Sequence, residues 1–335
     1  MFVTLPFGNQ TLQKLWWKKQ RTVEKVRSTG LLGEYDLVFV IHPGNRGWIL
    51  EAICKEIAAY SSGRFCFHYA TENLPSAKAY FFSHYCLLPL SLRANPEIRD
   101  RKLIVFHTHP KNPAEMGVSD RELYEALNAS TQVVCMCSEF ANLLIAEGVN
   151  PDKVTYVVGG ADPQIFQPHD RGAGAIGLSS AYQPRKDPDR VYDLIKSMPH
   201  RRFILIGRYW EKYEKFPEMM AMEHFSYVQA SYAEYPSYYA QMDVFVSPAK
   251  LEGGPIPLLE TMMCNIVPVA SRTGFAPDVI RHGENGFLFD VDSSIDVICD
   301  LIEQAYQLET NIRATAQPFT WENFSLAIQD YAGLI

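Results

Sequence analysis

With 335 residues, 47% of them apolar and 21% charged, the chain can bury the cores of two ordinary domains, which excludes a disordered, collagen-like or small disulfide-stapled protein. Its 31 Lys and Arg face 38 Asp and Glu, and the acidic excess falls in one half: residues 1–165 carry 17 basic and 16 acidic side chains, residues 166–335 carry 14 and 22. That balance excludes a general nucleic-acid binder, which needs a basic surface to neutralise phosphates.

The one locally basic stretch comes first. Lys14, Lys18, Arg21 and Lys25 repeat at helical spacing, opposite Leu12, Leu15, Trp16, Val23 and Val26. An amphipathic helix over residues 12–27 suits either packing on a sheet or peripheral contact with an anionic membrane surface. No apolar run reaches the ~20 residues of a membrane span, and the start of the chain lacks the apolar stretch of a signal peptide. Seven scattered cysteines predict unpaired thiols in a reducing compartment. The expected location is cytoplasmic, with any peripheral contact at the inner face of the membrane.

From Asp36, short apolar runs alternate with helical patterns. Leu37–Ile41, Arg64–His68, Lys102–Phe106, Val133–Met136 and Val154–Val158 predict strands, with helices over Trp48–Tyr60 and Arg121–Asn128. Gly44, Asn45, Arg46 and Gly47 form a turn between the first strand and its helix. His107 and His109 close the strand from Lys102 at its carboxyl edge; no third ligand accompanies them, so the pair predicts no metal site.

A Pro-, Gly- and Asp-rich stretch over Asp162–Gly174 predicts a linker. Alternation then restarts, with strands at Ala175–Leu178, Phe203–Ile206, Phe225–Val228, Val244–Ser247 and Val267–Ala270, and helices at Asp189–Ser197, Ala233–Gln241, Leu258–Cys264 and Ile295–Gln307. The expected architecture is α/β: two doubly wound Rossmann-like domains facing a cleft, over residues 1–165 and 166–318. An amphipathic helix within 319–335 is expected to pack back toward the first domain. Asp290-Val-Asp292 is formally a D-x-D, but it precedes a Ser-Ser helix start and reads as a cap rather than a metal site.

The segment richest in chemistry is Ser247-Pro-Ala-Lys-Leu-Glu252-Gly253-Gly254-Pro255-Ile256-Pro-Leu-Leu-Glu260. It reads as a strand end, a Gly- and Pro-rich loop and a helix start. Glycine lets backbone approach a ligand, and a helix N-terminus offers N–H groups to an anion. A carboxylate beside an anion site is electrostatically poor unless it accepts hydrogen bonds from hydroxyls, so Glu252 and Glu260 point to sugar or ribose hydroxyls.

This segment resembles the E-x7-E motif of the retaining glycosyltransferases of family four, which have the GT-B fold. Further stretches match that family in order: Ser138-Glu139, Gly160-Ala-Asp162 with Phe166-Gln-Pro168, Asp243-Val-Phe-Val-Ser-Pro248, and Gly274, Asp278 and Gly283-Glu-Asn-Gly286. The chain departs from the pattern at Leu178, where the family usually has Arg, at Gly253-Gly254-Pro255, at Asn265 and at Asp278, where the family has Glu.

The resemblance implies transfer of a sugar from a UDP- or GDP-sugar to an acceptor hydroxyl with retention of configuration, by a hexosyltransferase without metal or other cofactor. It implies Glu252 on the donor sugar with the Gly253, Gly254, Pro255 and Ile256 backbone, Glu260 on ribose, and Arg185 with Lys186 on pyrophosphate. It places His109, with His107 as the alternative, near the reacting centre, and Gly44, Asn45, Arg46 and Gly47 on the acceptor and phosphate side. The partners implied are the nucleotide-sugar and a glycan, lipid-linked or small-molecule acceptor. Two other readings stay open: a nucleotide-sugar-binding protein without catalysis, and a GT-B epimerase or phosphorylase.

Overall fold

The computed structural model describes residues 34–110, 112–172 and 174–335; the basic stripe over 12–27 lies outside them. Among the described residues, two compact units divide the chain. One holds 34–159 and 321–335, the other 160–320.

The first unit is built on β1 (Tyr35–Val40), β2 (Phe65–His68), β3 (Ala77–Phe82), β4 (Lys102–His107), β5 (Gln132–Cys135) and β6 (Val154–Tyr156). They form one parallel sheet in the order β2-β1-β3-β4-β5-β6. Helices α1 (Ile49–Ala59), α2 (Leu87–Ala94), α3 (Asp120–Ala129) and α4 (Ser138–Ala146) connect them. Strands covered on both faces must be apolar throughout, and β1, β3 and β4 are buried from Leu37, Ala79 and Leu103 onward.

The second unit holds β7 (Ala175–Ser179), β8 (Phe203–Ile206), β9 (Phe225–Val228), β10 (Met242–Ser247), β11 (Val267–Ser271) and β12 (Phe287–Phe289). This sheet is also parallel, in the order β12-β11-β10-β7-β8-β9. Its helices are α5 (Pro188–Ser197), α6 (Phe216–Met220), α7 (Tyr235–Tyr239), α8 (Ile256–Met263), α9 (Ala276–Val279), α10 (Ile295–Tyr306) and α11 (Ile312–Ala316). The last helix, α12 (Trp321–Tyr331), belongs to the first unit. Its Ser325 hydroxyl donates to the Ile57 carbonyl at 2.7 Å, and Phe324 meets Phe106 edge to face.

Two strands escape the sequence pattern. β3 has no β-branched residue, only Ala, Lys and aromatics, and β12 is three residues long. The stretch expected as a linker is instead strapped to the second unit. The Arg313 guanidinium donates to the carbonyls of Pro163, Phe166 and Met263, and the buried Asp243 carboxylate accepts the N–H groups of Gly172 and Gly174, each at 2.8 Å. The division between units falls earlier, between Gly159 and Gly160. None of the seven cysteines forms a disulfide, and among the described residues no helix is long and apolar enough to cross a membrane.

Each strand order contains one reversal of winding, between β1 and β3 in the first sheet and between β7 and β10 in the second. Loops leave a doubly wound sheet in opposite directions at such a reversal, which opens a crevice at the carboxyl ends of the two strands.

Candidate functional site

The β7–β10 crevice is where the second unit gathers its polar groups. Leu178, Ser179 and Ser180 at the end of β7, Ser247 at the end of β10, and Lys186 with Glu252 line a small pocket there. Glu252 is 5% exposed, and its carboxylate accepts from Arg185 Nη1 at 3.0 Å and from Lys186 Nζ. Arg185 is itself held in place: Nη1 also donates to the Leu251 carbonyl at 3.0 Å, and Nε to Gln183 Oε1 at 2.9 Å.

Burial lowers the pKa of the Lys186 ammonium, and the Glu252 carboxylate works against that shift. The chain brings these groups together through a tight turn. Pro184–Lys186 is a single 3-10 turn, Asp187 follows with φ of +53°, and Pro188 opens α5. The Asp187 carboxylate takes Arg190 at 3.2 Å and Lys250 at 3.1 Å, so both nearby basic side chains are spent on it.

On the other side of Glu252 the loop runs through Gly253 and Gly254 into α8. The backbone carbonyls of both Glu252 and Gly253 lie 2.9 Å from where a Cβ on Gly274 would stand; Gly274, at φ +59°, is the residue that permits this approach. The Ile256 N–H is taken by the Gly254 carbonyl at 2.8 Å. The N–H groups of Gly253 and Gly254 meet no partner among the described residues. Two cations and two unpaired amides around one carboxylate can hold an anion and, through Glu252, the hydroxyls attached to it.

Glu260 lies in the second turn of α8, 1% exposed. Its two carboxylate oxygens accept from Tyr232 Oη at 2.7 Å and Tyr239 Oη at 2.9 Å. Burial, with the Glu260 charge second, pushes the Tyr239 phenol far above its usual range, so it stays a donor. Tyr232 and Tyr239 are functional-site residues that the sequence reading does not single out. That both close on Glu260 depends on contacts spanning 28 and 21 residues, which no local pattern encodes.

The departures from the family pattern have structural explanations at two positions. Asn265 adopts φ of +70° just past α8, a conformation Asn tolerates, and its Oδ1 accepts the Ile312 N–H at 2.9 Å to cap α11. Leu178 is 3% exposed and gives the pocket an apolar wall.

In the first unit the expected residues also sit at carboxyl strand ends. His107 ends β4, 2% exposed, with Tyr85 edge-on to it at 4.5 Å and Phe140 at 5.8 Å. His109 is half-buried, its Nδ1 3.1 Å from the Thr108 hydroxyl. Of the turn at the end of β1, the Gly44 N–H donates to His42 Nδ1 at 3.1 Å and the Gly47 N–H to Glu51 Oε2 at 2.6 Å. Arg46 stacks over the Tyr69 ring at 4.1 Å. Glu51, in the first turn of α1, also takes the Tyr69 hydroxyl and Lys55 at 3.2 Å, so it fills the position an external anion would use at that helix end. Asp290 pairs with Arg272 at 3.2 Å. Among the described residues no three His, Cys, Asp or Glu side chains converge to hold a metal.

Comparison with known proteins fits this geometry. Residues 167–318 match the family model described as glycosyl transferases group 1. An uncharacterized glycosyltransferase of Methanocaldococcus jannaschii is 25% identical over 61% of this chain and 60% of its own length. The sulfoquinovosyl transferase of Arabidopsis thaliana is 29% identical over 45% of this chain and 33% of its own. The chain thus spans 60% and 33% of the lengths of these two curated relatives. Among solved structures, Anabaena HepE in complex with UDP-glucose superposes with a TM-score of 0.72 at 17% identity, over 90% of this chain and all of that one. The lipopolysaccharide outer core galactosyltransferase WaaB superposes with 0.65 at 14% identity, over 88% and 99%. The fold is that of the GT-B glycosyltransferases.

Proposed function

We propose that the chain transfers a hexosyl unit from a UDP- or GDP-sugar to an acceptor hydroxyl with retention of configuration, as the retaining family-four enzymes with their E-x7-E motif do, and without a metal. The observation that carries this reading is Glu252, a buried carboxylate paired with Arg185 and Lys186 beside the unpaired Gly253 and Gly254 amides. The two cations balance the diphosphate as it departs, which is where negative charge grows in the transition state. The two amides and Glu252 take the sugar, and Glu260 takes ribose hydroxyls.

In this reading the bond from the anomeric carbon to the diphosphate oxygen breaks first. The acceptor oxygen attacks on the same face, and its proton passes to the departing diphosphate oxygen, so configuration is kept without a carboxylate nucleophile. Acceptor recognition is assigned to the first unit, to His109 and the Gly44–Gly47 turn at the carboxyl edge of its sheet, with a glycan, lipid-linked or small-molecule hydroxyl as the substrate class.

Calorimetric titration with UDP, GDP and ADP, with and without Mg²⁺, tests the donor half. UDP comes first because the HepE structure holds UDP-glucose. One nucleoside diphosphate is expected to bind independently of Mg²⁺, and Glu260→Ala to weaken it by about ten- to a hundredfold, the worth of a charged hydrogen bond. Failure of all three to bind overturns the reading. Binding without transfer to any acceptor, or a product of inverted anomeric configuration by NMR, overturns the catalytic half alone.

A further inference from the structure

Strand β8 pairs with β9, the strand that leads into the tyrosines that hold Glu260, and the turn that follows β8 carries Arg208. Gly207 lies so close to the Ser180 carbonyl that a Cβ there would stand 2.0 Å from the oxygen. Trp210 is fully buried, and its indole N–H donates to that same carbonyl at 2.8 Å. Between these anchors Tyr209 takes φ of +68°, a conformation that costs a bulky side chain energy and reverses the chain sharply. Arg208 is left exposed at the carboxyl edge of the sheet, beside β7, with its carbonyl accepting the Tyr182 N–H at 2.9 Å.

The cations near it have partners of their own, and Lys212 in the same turn stacks on the Tyr209 ring at 4.7 Å. Arg185 and Lys186 pair with Glu252, Arg190 and Lys250 with Asp187, and Arg272 with Asp290. Arg208 pairs with no carboxylate among the described residues. Its charge is felt by Tyr235: burial and the Glu260 carboxylate push that phenol up, while a hydrogen bond from Ser179 and the Arg208 guanidinium pull it back. Ser179 also lines the Glu252 pocket. Ser180, whose carbonyl anchors the turn that carries Arg208, lines that pocket too, and Tyr235 packs against Tyr232 and Tyr239 at 5.5 and 5.7 Å, so Arg208 stands beside a row of polar groups that runs from Glu252 and Lys186, through Ser179 and Ser180, to the tyrosines around Glu260.

We propose that Arg208 selects the nucleobase of the donor, favouring bases that present carbonyl oxygens, because a guanidinium offers only donors and matches uracil or guanine better than the amino edge of adenine. This rests on the donor reading above, in which Glu252 and Lys186 meet the sugar diphosphate and Glu260 the ribose. A nucleotide laid along that row brings its base to Arg208.

Calorimetry with UDP, GDP, ADP and inorganic pyrophosphate on the full chain, as wild type, Arg208→Ala and Arg208→Lys, decides it. Wild type is expected to prefer UDP or GDP over ADP. Arg208→Ala should weaken the preferred nucleotide by about ten- to a hundredfold and erase the preference, with pyrophosphate affinity and melting temperature unchanged. Arg208→Lys should restore affinity only in part, because a lysine lacks the planar fork. Preference of the wild type for ADP, or an Arg208→Ala variant that keeps both affinity and preference, overturns the assignment while the donor reading stands. If the wild type binds no nucleoside diphosphate at all, both fall together.

Discussion

Glu252 neutralises one of the two cations it touches, so the cluster it forms with Arg185 and Lys186 carries a net single positive charge. The carboxylate therefore has two opposed effects on a bound diphosphate. It competes with the phosphates for both cations, and it keeps the buried Lys186 protonated against the cost of desolvation. Glu252→Gln removes both effects at nearly constant volume. In the proposed donor reading, where the Glu252 contact with the sugar strengthens in the transition state, turnover is expected to fall roughly 10²–10³-fold, while UDP affinity near pH 6 changes little. The sign of the pH effect follows from Lys186. Its pKa is already below the ordinary lysine value, and without Glu252 it falls further. Affinity for UDP should then decline with rising pH, starting at lower pH in the variant than in the wild type. Titrations from pH 6 to 10 check this, and parallel profiles for the two proteins would remove Lys186 from the diphosphate site. At this scale the sequence singles out Glu252 and Glu260 and is silent about the contacts each of them makes. Glu252, Gly253 and Gly254 stand out because carboxylate, glycine and proline are packed into one short loop. The Arg185 and Lys186 contacts span 67 and 66 residues, and the departure at Asn265 becomes intelligible only once its left-handed backbone and its bond to Ile312 are seen.

Helix α10 shows how a charged contact fastens an element to the sheet. Its Glu303 takes Arg201 in a two-pronged pair, and His200 adds a third bond at 3.0 Å. Arg201, which leads into β8, also stacks on Tyr306 of the same helix at 3.8 Å. The Arg201 guanidinium first, and His200 after it, hold the Glu303 carboxyl at about 2. A carboxylate depressed in the fold stabilises it fully above the unfolded value of about 4.5 and loses that contribution as pH falls toward 2. Both partners are partly exposed, so screening limits the gain to about 1 kcal/mol or less. The melting temperature of Glu303→Gln should lie slightly below that of the wild type at pH 6, with the gap closing between pH 4.5 and 2. A gap that stays constant over this range would mean the pair is not what the helix loses. Elements of this kind are legible where their residues are strongly biased. The FILI run of β8 appears in the sequence at its true bounds, because every residue of it is apolar or β-branched. Strand β3, AKAYFF, does not, since Lys78 and two alanines dilute the pattern and its burial comes from β1 and β4 on either side. Helix α2 hides for a related reason, with Pro89 in its first turn.

The chain passes between its two units twice, at Gly159–Gly160 and at Thr320–Trp321, so the unit that holds the N-terminal sheet is completed by residues from the other end of the sequence. Helix α12 is an integral layer of that unit. Trp321, Phe324 and Ile328 are all at most 3% exposed, and the Ser325 and Gln329 side chains donate to the carbonyls of Ile57 and Tyr60 at the end of α1. Each large apolar side chain so buried contributes roughly 1.5–3 kcal/mol, and three of them together approach the 5–15 kcal/mol by which a whole domain is stable. Removing residues 321–335 should therefore leave the first unit partly unfolded at room temperature. The second unit keeps its complete sheet and all of Arg185, Lys186, Glu252 and Glu260. Two consequences separate in the same truncated protein. Limited proteolysis should cut within 34–159 and spare 160–320, and UDP should still raise the remaining thermal transition, by the ~2.7 kcal/mol expected at a hundred times its dissociation constant. Transfer to an acceptor should be lost, because the residues assigned to the acceptor lie in the unit that has come apart. If UDP binding disappears with α12, the donor site is not contained in residues 160–320, and the assignment of donor and acceptor to separate units has to be abandoned.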